Sequence, residues 1–372
     1  MPAVDQGKPM SARKARLGFI GAGWWATANH MPLLAQRDDV ELTAVCRLGA
    51  SELQQVKEKF AFRFATESAE ELVSHPGLDA VIVSSPHTLH FEHARLALER
   101  GLHVMCEKPM CTQGTHAREL VRLAKEKGVH LLVPYGWHYK PFAQQAKRWM
   151  DEGHIGRVEY VLCHMASPIR DLLRGLRFQV ESNSGQAGGV LFEPDTRTWT
   201  DPVLAGGGYG HAQLAHSTGM LFWLTGLMPE SVYALMTTSQ SRVDVYDAVS
   251  VRFAGGAIGT VSGAGTVPPA GNARYQVDIR IFGSDGLLMI DMERARLELR
   301  RHDGRTEQVE LPPDAGSYAC DGPPHNFVDL VLGKSVTNWS PGEAAMRSVL
   351  LLDAAYRSAL SGQAERVAPG NG

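Results

Sequence analysis

A glycine-rich turn near the start of the chain has the spacing of a phosphate-binding motif. Gly21-Ala22-Gly23-Trp24-Trp25-Ala26 follows an apolar run and leads into a helical segment. In this G-x-G-x-x-A pattern the first glycine permits a tight turn and the second lets the backbone approach a pyrophosphate, while the helix directs N–H donors at the anion. We therefore predict a dinucleotide site here, in preference to a structural turn. Trp24 and Trp25 either pack in the core or lie against the cofactor.

Arg47 stands where an acidic residue would hold the ribose hydroxyls of NAD, about 20 residues after the glycines. A guanidinium cannot accept a hydrogen bond from those hydroxyls, but it can pair with a 2′-phosphate or stack on adenine. We therefore predict NAD(P) as the cofactor, with NADP(H) favoured over strict NAD. The alternative is a solvated arginine at the end of a strand.

Lys108, between Glu107 and Pro109, is the leading candidate for acid–base chemistry. It directly follows a predicted buried strand, at the edge of a parallel sheet where ligands of such folds bind. A partly desolvated ammonium has a lowered pKa, so it can exchange a proton with a hydroxyl and stabilise a developing alkoxide. We predict that Lys108 is catalytic and contacts both cofactor and substrate. Glu107 is predicted to be an orienting or cofactor-side partner.

A parallel sheet with crossover helices would bring these residues together. From Arg16 to about Pro134, short apolar runs alternate with helical periodicity, which indicates one α/β domain. Ser68 and Glu71 have capping-box spacing at a predicted helix start. The predicted strands are Leu17 to Ile20, Val40 to Cys46, Ala80 to Ser84, His103 to Cys106 and His130 to Val133.

Beyond Pro134, extended segments separated by turn signals predict an α+β region with consecutive antiparallel hairpins. We predict three divisions of the chain: a flexible tail over residues 1–15, a dinucleotide-binding domain over 16–136, and a second domain over 137–372. The predicted strands of the second domain are Val158 to Ala166, Ser231 to Thr238, Val245 to Phe253, Ile258 to Val267, Tyr275 to Phe282, Leu287 to Asp291 and Leu297 to Arg301. Its predicted helices are Gln144 to Glu152, Tyr209 to Thr225, Pro324 to Leu332 and Pro341 to Leu360.

Composition narrows the classes of partner. The 372 residues carry 37 Lys plus Arg and 40 Asp plus Glu, a net charge of -3, so nothing favours nucleic acid or a membrane surface. Five cysteines without a C-x-x-C pair suit a reducing compartment, and the first residues lack an apolar segment typical of a secretion signal. We expect a cytoplasmic protein. No metal-binding spacing accompanies the histidines, so no metal is expected.

Several motifs together resemble one family, the Gfo/Idh/MocA oxidoreductases, which include glucose–fructose oxidoreductase and inositol dehydrogenase. The resemblance runs from about Arg16 to Gly362. It implies an N-terminal Rossmann domain followed by an α+β domain with a large, mostly antiparallel, open-faced sheet, through which we expect a homodimer or homotetramer to form. The motifs are Ser85-Pro86-His87-Thr88-Leu89-His90, Glu107-Lys108-Pro109, Glu152-Gly153-His154-Ile155-Gly156-Arg157-Val158, Gly206-Gly207-Gly208 followed by His216, and His325-Asn326-Phe327.

The resemblance also implies where hydride transfer takes place. Ser85, Pro86 and His87 match the family's turn beside the nicotinamide, whereas His90 makes either a structural hydrogen bond or a cofactor contact. Family members often carry Asp and His four residues apart on one helix. This chain keeps His216, which we predict to be catalytic and substrate-binding, and has Ala212 in place of the aspartate.

Further substrate-binding candidates surround this pair. Gln213 lies on much the same helical face as His216 and can bind substrate without acid–base capacity. Trp137 and His138 occupy the loop where the family brings polar groups to the substrate, and Trp199 could stack on a sugar face. For Trp137, His138 and Trp199 a packing or surface role is the open alternative.

The leading hypothesis is an NAD(P)-dependent dehydrogenase or reductase acting on the CH–OH group of a sugar, glycoside or cyclitol. One alternative is a glycosidase of the same family that oxidises its substrate transiently and retains its cofactor. A second alternative is a non-enzymatic sugar-sensing regulator. Lys108 and His216 favour an enzyme, because a sensor needs neither residue.

Overall fold

The structure is a computed structural model that describes residues 13–176, 191–267, 275–312 and 315–367. Most of the predicted tail, residues 1–12, lies outside these ranges. The first strand begins at Ala15, which is fully buried, so the tail can extend no further than residue 14. No helix among the described residues has the length and apolar character needed to cross a bilayer.

The first domain is built on a parallel sheet whose order within the described residues is β3-β2-β1-β4-β5-β6. This is the Rossmann order, so the predicted fold class is confirmed for this part of the chain. The order reverses between β1 and β4, and the crevice at their carboxyl ends is where such folds bind ligands. The strands are β1 Ala15–Ile20, β2 Val40–Cys46, β3 Phe64–Thr66, β4 Ala80–Val83, β5 His103–Cys106 and β6 Leu131–Leu132.

Helices cover both faces of this sheet. Ser68 caps one of them, because its Oγ accepts from the Glu71 N–H at 3.2 Å, as the capping-box spacing predicts. A π-helical turn, Ala26–His30, precedes the first α-helix, and a 3₁₀ turn, His87–Leu89, precedes α4. The helices are α1 Met31–Ala35, α2 Ala50–Phe60, α3 Ala69–Ser74, α4 His90–Glu99 and α5 Gly114–Lys127.

The second domain contains a larger sheet with the order β14-β13-β12-β11-β7-β10-β9-β8-β15 in the described residues. Its pairs are antiparallel except for β7 with β10, which run parallel, so the prediction of a mostly antiparallel sheet is confirmed. The strands are β7 Val158–Ala166, β8 Pro229–Thr237, β9 Tyr246–Phe253, β10 Ile258–Ala264, β11 Gln276–Gly283, β12 Gly286–Asp291, β13 Arg296–Arg301, β14 Thr306–Glu310 and β15 Glu365–Arg366.

The helices of this domain cover one face of the sheet. The predicted single helix from Tyr209 to Thr225 is instead a π-helical turn, Gly210–Leu214, followed by an α-helix. A 3₁₀ turn at Gly136–Tyr139 connects the two domains. The α-helices are α6 Pro141–Asp151, α7 Arg170–Leu173, α8 Arg197–Thr200, α9 Pro202–Ala205, α10 Ala215–Thr225, α11 Gly322–Val331 and α12 Gly342–Ser361.

The last two helices join the cores of the two domains. In α12, Ala345 and Val349 pack in the core between the Rossmann sheet and its helices, whereas Leu350 and Leu351 pack in the core under the second sheet. Phe327 of α11 packs on the other side of the Rossmann sheet. Although both helices fall within the range 137–372, they also complete the first domain.

Candidate active site

Gly21 turns the chain at the end of β1, where the chain passes close to the end of β4. Its φ is +89°, and a Cβ at this position would lie 2.3 Å from the Ser85 backbone nitrogen. Only glycine can therefore occupy it. A Cβ at Gly23 would meet no atom of the described residues within 4 Å, so packing within that part of the chain does not require this second glycine. A residue without a side chain at an open position suits the close approach of a phosphate.

The helical segment after the glycines supplies the donors that such an anion needs. It begins at Trp24, passes through the π-helical turn Ala26–His30 and continues into α1. The first N–H groups of a helix lack intrahelical partners, and the helix dipole places positive potential there. Together with the two glycines, this makes the turn fit the pyrophosphate of a dinucleotide.

Trp25 lies between this turn and Glu107, outside the core. Its indole Nε1 donates to Glu107 Oε1 at 2.7 Å, and its ring meets the Trp24 ring edge to face at 5.4 Å between centroids. Both tryptophans are half-buried. Of the two alternatives for Trp24 and Trp25, the structure therefore favours a position at the edge of the site.

Arg47 follows β2 beside the glycine-rich turn. Its Nη1 donates to the Ala22 carbonyl at 3.0 Å and its Nε to the Leu48 carbonyl at 3.2 Å. The guanidinium carbon lies 4.2 Å from the centroid of the Phe192 ring. Burial lowers the pKa of Arg47, against the opposing effect of Glu52. Arg47 is thus half-buried and held beside the glycine-rich turn by two hydrogen bonds.

The turn after β4 contains four predicted cofactor residues. Ser85 Oγ hydrogen-bonds His93 Nδ1 at 2.8 Å, and Pro86 precedes the 3₁₀ turn that contains His87. His87 Nδ1 donates to the Ala205 carbonyl at 3.2 Å, and burial holds the pKa of this imidazole well below its usual value. His90 lies 2.7 Å from two carbonyl oxygens, those of Ser85 and Pro109, so its ring is engaged by the protein. For His90 the structure favours the structural alternative.

Glu107 is the centre of a buried hydrogen-bonded cluster. Besides Trp25, its carboxylate accepts from His30 Nε2 at 2.7 Å and from the Lys108 backbone N–H at 3.1 Å. Burial raises the pKa of Glu107, but His30, Lys108 and Trp25 together outweigh it, and the net pKa is lowered. Glu107 is therefore an anion next to Lys108. Sequence reasoning did not identify His30, although its place on the same helical face as the buried Leu34 indicates a histidine that needs a buried partner.

Lys108 extends from the end of β5 towards the second domain. Its Nζ donates to the Ala212 carbonyl at 3.1 Å, and it lies 6.0 Å from the Trp25 ring centroid and 5.9 Å from that of Trp199. The residue is 9% exposed, and burial lowers the pKa of its ammonium, against the opposing charge of Glu107. Ala212, which stands in the place of the family's aspartate, thus holds Lys108 through its backbone carbonyl. It does so from the π-helical turn Gly210–Leu214, a feature often found at functional sites.

His216 lies in the first turn of α10, directly after this π-helical turn. Its ring contacts three aromatic rings, those of Tyr135, Trp137 and Tyr318. Burial, and then the charge of Lys108, hold the pKa of His216 well below its usual value. The structure therefore brings a neutral imidazole close to the Lys108 ammonium.

Trp137 and His138 are both buried, and Trp137 packs against His216. Trp137 is 2% exposed and donates its indole N–H to the Gly316 carbonyl. His138 is fully buried, stacks on Trp223 at 4.4 Å and contacts the Trp339 carbonyl and Ser340 Oγ. Burial lowers the pKa of His138 to about 3. For His138 the structure therefore favours the packing alternative, and Trp137 packs against the His216 ring.

Trp199 and Gln213 remain near Lys108. The Trp199 ring lies 6.0 Å from that of His87, edge to face, in a segment that crosses from the second domain to the first. Gln213 is 9% exposed on the same π-helical turn as Ala212. Trp199 therefore lies beside Lys108, and Gln213 directly follows the residue whose carbonyl accepts from Lys108.

Asp244 is a further residue that sequence reasoning did not identify. Its carboxylate accepts from the N–H groups of Gly208 and Gly210, at 2.6 and 2.9 Å, and so fixes the glycine run that leads into the π-helical turn. Asp247 is buried beside it, and burial and the Asp244 charge raise the pKa of Asp247 well above its usual value. No sequence motif signals this pair.

A cavity lies apart from this site, and no cluster of metal-binding side chains accompanies it in the described residues. A cavity of about 450 Å³ between α6, the end of α10 and the start of α12 contains none of the predicted catalytic residues. In the described part of the chain, no three His, Cys, Asp or Glu side chains cluster closely enough to hold a metal ion.

The arrangement can support proton transfer next to a bound dinucleotide. A buried lysine of lowered pKa and a neutral histidine adjoin the carboxyl edge of the sheet, where the glycine turn fits a pyrophosphate. A hydroxyl placed between Lys108 and His216 would have a proton acceptor and a hydrogen-bond partner.

Family models match both domains. Residues 15–135 match the model described as "Oxidoreductase family, NAD-binding Rossmann fold", and residues 143–289 match the "GFO/IDH/MocA C-terminal domain".

Curated relatives include several sugar and cyclitol enzymes. The chain is 32% identical over 149 residues to D-glucoside 3-dehydrogenase of Escherichia coli (strain K12), covering 40% of this chain and 42% of that protein. It is 30% identical over 161 residues to D-xylose 1-dehydrogenase [NADP(+)] of Haloarcula marismortui, covering 42% and 45%. It is 24% identical over 263 residues to scyllo-inositol 2-dehydrogenase (NADP(+)) of Bacillus subtilis (strain 168), covering 70% and 66%. The matched segments thus span less than half of the first two relatives and about two thirds of the third.

Solved structures share the whole fold. Levoglucosan dehydrogenase in complex with NADH and levoglucosan superposes with a TM-score of 0.70 at 20% identity, over 96% of this chain and 100% of that one. An oxidoreductase domain protein from Kribbella flavida gives a TM-score of 0.74 at 21% identity, over 96% and 100%. At these identities the likeness concerns the fold alone.

Proposed function

The chain belongs to the Gfo/Idh/MocA family of oxidoreductases, and on this premise we propose that it transfers a hydride between NAD(P) and a hydroxyl-bearing carbon of a sugar, glycoside or cyclitol. The observation that carries the proposal is the buried Lys108 ammonium, held 3.1 Å from the Ala212 carbonyl beside His216. The names of the curated relatives support the substrate class.

In the proposed reaction Lys108 is the general acid–base. When the alcohol is oxidised, Nζ takes the hydroxyl proton as the carbon loses its hydride; when the carbonyl is reduced, Nζ returns it. A lowered pKa makes the neutral amine accessible near neutral pH, and the protonated form stabilises alkoxide character. His216 orients the reacting hydroxyl by a hydrogen bond, which a neutral imidazole can accept or donate.

The bound dinucleotide would supply or accept the hydride. Gly21, Gly23 and the N–H groups of the following helix would hold its pyrophosphate, and the Ser85–His87 turn would adjoin the nicotinamide. Glu107 keeps Trp25 and His30 in place behind Lys108.

The proposed preference is for NADP(H) over NAD(H). Arg47 supports it, because the ordered guanidinium stands at the adenosine end and no acidic residue follows β2 directly. Fluorescence titration with NADPH and NADH should give the lower Kd for NADPH, and Arg47→Asp should reverse the order. Equal or reversed affinities in the wild type would contradict the preference alone.

The activity is tested by following nicotinamide absorbance with both cofactors over a panel of sugars, glycosides and inositols. We expect substrate-dependent reduction of the oxidised cofactor, and its loss in Lys108→Met while cofactor binding persists. His216→Ala should lower kcat less than Lys108→Met does, because it removes a hydrogen bond and not the base.

Two results would contradict the proposal. One is turnover in Lys108→Met equal to that of the wild type on a confirmed substrate. The other is hydrolysis of a glycoside without net consumption of free cofactor, which is the signature of a cofactor-retaining glycosidase.

We also propose that copies associate through the outer face of the second sheet. Apolar side chains on that face are exposed: Tyr233, Leu235, Ile258 and Phe282, with Leu235 62% exposed. Light scattering after size exclusion should give a dimer or tetramer for the wild type and a smaller species for Leu235→Glu. A monomeric wild type would contradict the association.

We further propose a reducing, cytoplasmic location. The five cysteines are unpaired, and four of them are buried. Fractionation of the native host with a specific antibody should recover the protein with cytoplasmic markers, and recovery outside the cytoplasm would contradict the proposal.

A further inference from the structure

Phe192 reaches the adenosine end of the cofactor site from the second domain. Its ring faces the Arg47 guanidinium at 4.2 Å, in the range of a cation–π contact. Leu191 and Phe192 also pack against the apolar core around β1 and β2. A residue far from the dinucleotide motif in sequence thus covers one face of the arginine that follows β2.

The segment that carries Phe192 is fixed at its other end beside the nicotinamide turn. Thr88 Oγ1 donates to the Val203 and Leu204 carbonyls at 3.1 Å, and His87 Nδ1 donates to the Ala205 carbonyl at 3.2 Å. Residues 191–206 therefore cross the carboxyl edge of the Rossmann sheet, with contacts at both ends of the proposed dinucleotide site.

Arg47 is restrained on three sides but keeps one terminal nitrogen available. Nε and Nη1 donate to the Leu48 and Ala22 carbonyls, and the guanidinium carbon lies over the Phe192 ring. Among the residues that the structure describes, none accepts a hydrogen bond from Nη2. A planar guanidinium fixed in this way loses little freedom when it pairs with a phosphate.

We propose that Phe192 is a positioning residue for cofactor selectivity: it fixes Arg47 so that Nη2 can bind the 2′-phosphate of NADP(H). This inference rests on the proposed function, since it requires that the chain bind a dinucleotide. It assigns part of the cofactor preference to the second domain.

The test is a set of equilibrium titrations with NADPH and NADH, read by quenching of protein fluorescence. Phe192→Ala should raise the Kd for NADPH about fivefold, which corresponds to about 1 kcal/mol, and leave the Kd for NADH within about twofold. Phe192→Tyr keeps the aromatic face and should restore the NADPH affinity. Leu191→Ala, a neighbour packed on the same core, should leave the ratio of the two Kd values unchanged.

A double-variant cycle tests whether Phe192 acts through Arg47. In an Arg47→Met background, Phe192→Ala should have no further effect on the NADPH affinity. The inference is overturned if Phe192→Ala changes both Kd values by the same factor or changes neither, or if its effect persists without Arg47. If the wild type bound no dinucleotide at all, the proposed function itself would fail, which is a different result from binding with an unchanged ratio.

Discussion

The charge of Glu107 should control the protonation of Lys108. Lys108 Nζ lies 6.0 Å from the centroid of the Trp25 ring, and Nε1 of that ring lies 2.7 Å from Glu107 Oε1. The two charges are therefore no more than about 11 Å apart, which at an effective dielectric constant of about 20 corresponds to about 1 to 2 kcal/mol, or about one pKa unit. Glu107→Gln, which removes the charge and keeps the shape, should lower the pKa of Lys108 further by about that amount.

The sign of the effect on activity follows from the proposed role of Lys108 as the general acid–base. Oxidation of an alcohol needs the neutral amine, so the acidic limb of kcat/KM should move to lower pH in Glu107→Gln, by about one unit. Reduction needs the ammonium, so its alkaline limb should also move to lower pH. A measurement independent of substrate is the pH dependence of the labelling rate of Lys108 by an amine reagent, followed by mass spectrometry, because only the neutral amine reacts.

Two control variants make this test specific. Glu107→Asp retains the charge and should keep the midpoint of labelling near that of the wild type. Glu343→Gln removes an exposed carboxylate at the start of α12 and should leave the midpoint of labelling unchanged. Chemical denaturation checks the fold of Glu107→Gln, which loses its bond to the Lys108 N–H and about 1 to 2 kcal/mol of stability. A midpoint in folded Glu107→Gln that stays unchanged or rises would refute the reasoning.

Three further predictions concern the turn, the buried carboxyl pair and the contact between α11 and the first domain. Gly21→Ala should lower the free energy of unfolding in urea by about 2 kcal/mol or more, because its Cβ would meet Ser85 N at 2.3 Å. Gly23→Ala should unfold like the wild type, but it should bind NADPH more weakly in a fluorescence titration. Asp247→Asn should raise the free energy of unfolding at pH 7. A carboxyl whose pKa is raised in the folded state stabilises the fold below its unfolded pKa of about 4, and this contribution is lost as the pH rises. Asp244→Asn should lower the free energy of unfolding by about 2 kcal/mol, since Asp244 accepts from two backbone N–H groups. Burial raises the pKa of Asp329, but the hydrogen bonds and charges of Lys334 and Arg37 outweigh it, and the net pKa is lowered. Asp329→Asn should therefore cost about 1 kcal/mol at pH 7, and this cost should shrink as the pH falls below the unfolded value of about 4 and through the lowered folded pKa. A loss in thermal unfolding that stays constant over this pH range would contradict the prediction.

Apolar runs and turn residues predicted most of the fold. The strands that sequence reasoning missed are short or polar: β3 has three residues, and β14 contains only one apolar residue among five. Such segments are held by their neighbours in the sheet and carry little pattern of their own.

The site was harder to predict from the sequence, because the residues that contact each other in it are distant along the chain. Sequence motifs predicted Lys108 and His216 as site residues. The Ala212 carbonyl that accepts from Lys108 belongs to a π-helical turn, which no residue pattern predicted. His30 binds Glu107 across 77 positions, so only the folded sheet brings them together. His138 was predicted from its position in a loop, yet aromatic packing against Trp223 takes it into the core.

The two faces of α12 bear on how the molecule opens and melts. Because this helix contributes Ala345 and Val349 to one core and Leu350 and Leu351 to the other, separating the domains would expose apolar side chains in both. The two cores should therefore unfold in one cooperative transition, and a hinge motion between them would be costly. Exchange of the proposed dinucleotide should then require displacement of local segments that cross the crevice, with little movement between the two cores.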